Sequence, residues 1–242
     1  MDIKTHCIVL RTVKYGDNKL IIDLLTREGG RLSAAYKITT SRTSKVKKQF
    51  FQPLTILDAD IVIQPHQKLA QIKDARLLSP YTSIPFDGIK MSISFFIAEF
   101  LCYATRDLHS DSLLFDFVEQ SLMWLDASEP LSIGVANFHI MFMMRMSLFL
   151  GFYPDMSSYA EGCFFDLRDG CFCSAAPMHR DFLSAEDAKK MQTLMRMTPS
   201  NLHLFPLSHI DRNRIIDFCL TYYRLHIPAF GELKSLDILR SL

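Results

Sequence analysis

Near residue 80 the apolar residues stop alternating and begin to recur at helical spacing, and this break limits the folds open to the chain. Before it lie five short β-rich runs: residues 3–15 (IKTHCIVLRTVKY), 19–26 (KLIIDLLT), 31–37, 50–63 and 68–78. Tyr15-Gly16-Asp17-Asn18 and Arg27-Glu28-Gly29-Gly30 supply turns between the first three, and Gln64-Pro65-His66-Gln67 separates the last two. Five strands within 80 residues, with a longer connection between the third and fourth, predict a small Greek-key barrel of the OB type. An SH3-like barrel would give nearly the same pattern. From Ser83 onward the repeat is helical, over Ser92–Thr105, Asp111–Leu125, Ile133–Leu150, a helix opening at Ser184-Ala185-Glu186-Asp187, His209–Leu225 and Glu232–Leu242. The fold class is therefore α+β, with a barrel domain over 1–80 and a mostly α-helical domain over 81–242. Met141, Met143, Met144 and Met146 read as flexible core filling rather than an adaptable binding surface.

With 49% hydrophobic and 22% charged residues in 242, the chain has ample material for a core and lacks the composition of a disordered one. The charge-free stretch Pro130–Met144 holds 15 residues, short of the roughly 20 that a membrane span needs. Asp2, Lys4 and His6, with no long apolar run after them, do not make a signal peptide. A cytoplasmic protein with no membrane partner is expected.

A net charge of +1 conceals a division. Residues 1–80 hold 14 basic and 7 acidic side chains, whereas residues 81–242 hold 13 and 19. A basic domain on an acidic body reads as a nucleic-acid face beside something else, against the alternative of an uneven solvated surface. The polar connection 39–49 (TTSRTSKVKKQ) is the strongest candidate site. Lys37, Arg42, Lys45, Lys47 and Lys48 lie within twelve residues, among short hydroxyls that can donate to phosphate oxygens. Lys14, Lys19, Arg27 and Arg31, at strand ends and turns, would extend the track. Tyr15, Tyr36, Phe50 and Phe51 are available to stack bases, although most should belong to the core. Strand alternation should bury one of Phe50 and Phe51 and expose the other.

The cysteines do not make a disulfide scaffold, but Cys163, Cys171 and Cys173 cluster. A zinc ribbon needs two C-x₂-C pairs, and the chain offers one C-x-C, one lone cysteine and His179 as a fourth candidate. A small degenerate zinc-ribbon-like β-hairpin over 155–183, its cysteines used for packing and no cofactor bound, is the expectation. No Gly-rich phosphate loop, H-E-x-x-H or G-x-S-x-G occurs, so no enzyme is expected.

Taken in order, four stretches resemble the bacterial recombination mediator RecO family. Residues Tyr15–Gly30 are similar to its first hairpin, and Phe51-Gln52-Pro53 to the element after its basic loop. Phe142–Phe152, with Arg145 inside it, resembles the helix that ends in a Leu-Gly-aromatic turn, and Leu233-Lys234-Ser235 resembles part of the last helix. The chain departs from the pattern at Ile38, where a glycine is usual, and in the reduced cysteine set. The resemblance implies an OB barrel and a helical body, in many members with an inserted four-cysteine zinc module. It also implies binding of single- and double-stranded DNA, annealing of complementary strands, and association with RecR. Last, it implies capture of the C-terminal tail of single-stranded DNA-binding protein and help in loading RecA. Arg145 is the candidate for the carboxylate of that tail, with a core-edge ion pair as the alternative. The function expected is therefore a non-enzymatic DNA-repair mediator working on the nucleoid. Its rivals are a protein-interaction scaffold that binds no DNA and a zinc-ribbon transcription or RNA-processing factor.

Overall fold

The computed structural model describes residues 2–38, 46, 48–64, 67 and 69–240. Its first five strands are β1 (Asp2–Tyr15), β2 (Lys19–Thr26), β3 (Gly30–Lys37), β4 (Ile56–Val62) and β5 (Ala70–Leu77). They close into a barrel in the order β1-β2-β3-β5-β4. All pairings are antiparallel except the closing one, where β3 meets β5 in parallel at Ala34↔Ala70 and Ala35↔Gln71. This is the OB-type arrangement. Alternation sends Leu20, Ile22 and Leu24 of β2 into the barrel, where they meet Val9, Leu57, Ile61 and Ile72.

The fourth strand starts later than its apolar run. Lys48–Phe51 form a 3₁₀ turn, and Pro53, which has no N–H to give a ladder, follows before the strand opens at Ile56. Phe51 is buried with its ring centroid 5.0 Å from that of Tyr36, and Phe50 is half-buried. Strand alternation is therefore not what separates the two phenylalanines.

By contact density the chain divides into two compact units. One comprises Met1–Ala127 with Leu233–Leu239, and the other Ser128–Glu232 with Arg240. The barrel thus shares its unit with α1 (Gly88–Ala104) and α2 (Ser112–Ala127). Polar clamps hold that unit together. Asp126, at the end of α2, accepts from the amides of Thr82, Ser83 and Ile84 and from the Thr82 hydroxyl, at 2.8–2.9 Å. Burial alone would raise its carboxyl, but these four donors together hold it below the usual carboxylate range. The wholly buried Lys90 donates to the Asp126 carbonyl at 2.8 Å and to the Ser83 hydroxyl. Glu99 of α1 receives the Lys234 and Ser235 amides at 3.0 and 2.8 Å and the Ser235 hydroxyl at 2.6 Å. That capture explains why the last helix, α6 (Leu236–Arg240), begins after Ser235 rather than at Glu232.

The second unit is built on α3 (Ile133–Phe149), in which Met141, Met143, Met144 and Met146 are all buried, as core filling requires. Around it stand α4 (Ala185–Met195) and α5 (His209–His226). A small sheet of β6 (Phe164–Asp166), β7 (Cys171–Cys173) and β8 (Phe182–Leu183) runs in the order β7-β6-β8. Tyr222 and Tyr223 anchor α5 by donating to the Phe152 and Met143 carbonyls at 2.6 and 2.7 Å. Among the described residues no helix is long and apolar enough to cross a membrane.

Three substitutions test the packing and the clamps of this unit. Gly30 has φ +67°, and a Cβ there would lie 2.6 Å from the backbone carbonyl carbon of His109, whereas Gly16, at φ +65°, has nothing within 4 Å. Gly30→Ala is expected to cost roughly 2–5 kcal/mol in urea unfolding, and Gly16→Ala only the left-handed strain of roughly 1–2 kcal/mol. Asp126→Asn is expected to be less stable than the parent at pH 7. Because the folded carboxyl is depressed, its contribution is complete above the unfolded value of about 4 and fades as pH falls through the folded one. Unfolding curves of the two proteins should therefore converge in acid.

Candidate nucleic-acid interface

Pairing across β1, β2 and β3 sets three exposed side chains in one row. Tyr15 faces Lys19, and Lys19 faces Lys37, so all three point to the outer side of the sheet. The Lys19 ammonium lies 5.9 Å from the Tyr15 ring centroid, a cation–π contact. Asn18, Lys19, Ala35, Lys37, Gln71 and Ile72 line an open cleft of about 420 Å³ beside the row. It lies where β3 and β5, having paired at two positions only, part company.

In the sequence the basic connection follows Lys37, a member of this row. Val46 is buried in the barrel core and its carbonyl accepts from the Tyr36 hydroxyl at 3.3 Å, which anchors that residue two positions before the exposed Lys48. Arg42, Lys45 and Lys47 lie outside the described residues. Lys14 pairs with Leu20 and points to the opposite face of the strand from Tyr15, at the mouth of the barrel. Among the described residues no carboxylate stands within 4.0 Å of Lys14, Lys19, Lys37 or Lys48.

Arg27 and Arg31 stand elsewhere and are already engaged. Arg31, opposite Leu25, lies six residue steps from the row, roughly 20 Å, and Arg27 follows the far end of β2. Arg27 makes a two-pronged contact with Asp116 of α2 at 2.8 and 3.0 Å, which holds that carboxyl below its ordinary range. Arg31 reaches Asp23 at 3.3 Å, the Cys102 carbonyl at 3.2 Å and the Thr105 hydroxyl at 3.3 Å. Both guanidinium groups tie the β2–β3 end of the barrel to helices.

Sequence reasoning missed Arg11. Its side chain is 66% exposed and touches Asp23 at 3.2 Å. It shares the outer face with Val13 and Tyr15, two and four positions on, and that spacing of two was the signal available.

Arg145 of α3 donates from Nε and Nη2 to the Met197 carbonyl at 3.1 and 3.0 Å, closing the turn that follows α4. Neither of the sequence-based alternatives, an ion pair or an open carboxylate receptor, anticipated a carbonyl partner.

The zinc candidates gather in the small sheet without forming a ligand set. Cys163 is buried, and Cys171 and Cys173 flank Phe172 on β7. His179 Nε2 lies 3.1 Å from Asp166 Oδ2. Burial first, with carboxylates such as Asp166 and Asp169 adding to it, raises the Cys171 and Cys173 thiols. Among the described residues no three His, Cys, Asp or Glu side chains are placed to hold one ion. These groups do not fit a structural zinc.

Comparison with known proteins adds an independent finding. The family models described as "Recombination protein O N terminal" and "Recombination protein O C terminal" match residues 1–81 and 85–237. A protein named "DNA repair protein RecO" from Phocaeicola vulgatus is 43% identical over 239 residues, covering 99% of this chain and 98% of its own. The protein of that name from Bacteroides fragilis is 39% identical over 240 residues, with 99% and 98% covered. The one from Flavobacterium psychrophilum is 31% identical over 244 residues, with 100% and 99% covered.

The sheet of β6–β8 yields a direct test of metal independence. A Cys171→Ser/Cys173→Ser double variant and chelator-treated parent are each expected to melt within about 3 °C of the untreated protein. Metal analysis should find no tightly held zinc. A chelator-induced drop of ten degrees would show that a metal is bound.

Proposed function

This chain belongs to the RecO family of DNA repair proteins, and from that footing we propose that its barrel binds DNA through phosphate contacts as a recombination mediator. One observation carries the reading: Lys19 and Lys37, with no carboxylate partner among the described residues, stand in a row with an exposed tyrosine, and a basic segment follows Lys37 in the sequence. Ammonium groups of this kind neutralise phosphates and release counterions, while the tyrosine offers a stacking surface. Neutralising one strand lowers the repulsion that a second strand meets, so annealing follows from charge and local concentration and needs no covalent step. The protein is read as non-enzymatic and metal-free.

The finer roles belong to the same proposal. The helical body docks RecR and the C-terminal tail of single-stranded DNA-binding protein, and the assembly helps load RecA in the cytoplasm, on the nucleoid. Arg145 keeps donors on Nη1 beyond the two that hold Met197, and a tail carboxylate would meet that edge. The rival from another class is a scaffold whose barrel binds an acidic protein.

Anisotropy titrations of labelled oligonucleotides across a salt series separate the two. If Lys14, Lys19, Lys37 and Lys48 each meet a phosphate, they should contribute about −3 to the log–log slope on single strands. Lys19→Gln/Lys37→Gln should reduce the magnitude of the slope by about 1.4. Reversing Arg42, Lys45, Lys47 and Lys48 to Glu should abolish binding while the far-UV spectrum is kept. A parent protein with no affinity, or a flat salt response, would favour the scaffold.

A further inference from the structure

The outer face that begins at the Tyr15–Lys19–Lys37 row does not end there. Two residues down β1 comes Val13, 45% exposed, and two further comes Arg11, roughly 13 Å from Tyr15. At Arg11 the sheet meets α1, and a cleft of about 590 Å³ opens between them, a volume usual for small-ligand sites. On the helix side Phe95, Glu99 and Tyr103 recur every four positions, so they line one face of α1, and Arg106 follows in the turn after its last residue.

The lining has the chemistry of a nucleotide site. Phe95 is 47% exposed although it forms a wall of the cleft. The Arg106 guanidinium stacks over Tyr103 at 5.6 Å from the ring centroid, and it has no carboxylate partner among the described residues. The acidic groups are already engaged. Asp23 accepts from Ser33 at 2.6 Å and meets Arg11 and Arg31, while Glu99 is held by Lys234 and Ser235. Three arginines against two occupied carboxylates leave a positive rim around an aromatic wall. Single-strand sites combine these two elements, because every base has a π-face and every linkage a charge.

We propose that this cleft receives an unpaired base of single-stranded DNA, with Phe95 and Tyr103 against the base and Arg11 and Arg106 on the flanking phosphates. The proposal rests on DNA binding by the barrel and adds a device that separates strand types. Bases locked inside a duplex cannot enter the cleft, so a duplex would use the lysine row alone.

The test uses the full-length protein and three labelled ligands of equal length: oligothymidylate, an abasic strand and a duplex. Phe95→Ala should weaken oligothymidylate binding roughly 10- to 100-fold, and the other two less than about twofold. Arg106→Gln, at an exposed position that does not endanger folding, should weaken oligothymidylate and reduce its salt slope by about 0.7. Equal loss on all three ligands, or no loss on any, overturns the cleft while leaving DNA binding by the barrel intact. A parent protein that binds none of the three overturns both. An unchanged thermal midpoint for Phe95→Ala assigns its loss to the site rather than to the fold.

Discussion

Register across the first three strands is the constraint on which the interface depends. From Arg11 to Tyr15 the pairing of β1 with β2 runs without a slip, and β2 with β3 likewise from end to end. A shift by one residue would turn Tyr15, Lys19 and Lys37 inward and bring Leu20 and Tyr36 out. The single irregularity, between Val9 and Arg11, falls at the edge of the cleft. There it adds a residue to β1 without disturbing the row above.

The barrel separates its cations by chemistry. Arg27 and Arg31 serve as fasteners: Arg27 grips a carboxylate with two prongs, and Arg31 reaches a carboxylate, a carbonyl and a hydroxyl. A planar guanidinium suits such fixed, multi-contact geometry. Lysines at the row and around it keep their charge in solvent, where a hydrated ammonium on a flexible stem can follow a backbone without reading sequence. Counting basic residues along the chain merges these two populations.

How much could be read beforehand follows from the range of each interaction. The alternation in KLIIDLLT, the Gly and Asn in the first turn and the helical repeat after Ser83 are local, and they yielded the strand count, the barrel and the helices. The partners of Arg27 and Glu99 lie 89 and 135 or more positions away, and no local pattern announces them. The apolar run from Phe50 misplaced the start of β4 because hydrophobicity outweighed Pro53. For Arg145, a lone cation on a methionine helix could not reveal that a carbonyl from the turn after α4 would occupy it. The row at Tyr15 was partly visible, since its members were named as turn and strand-end residues. Their alignment appeared only with the register.

The Leu233–Leu239 stretch belongs to the barrel's unit although 105 residues of the other unit, Ser128–Glu232, intervene in the chain. A ribosome releases polypeptide from the front at about 5–20 residues per second. The barrel's unit therefore cannot complete its packing until those 105 residues and the strap that Glu99 catches have been made. Its seal is thus long-range in the chain although short-range in space.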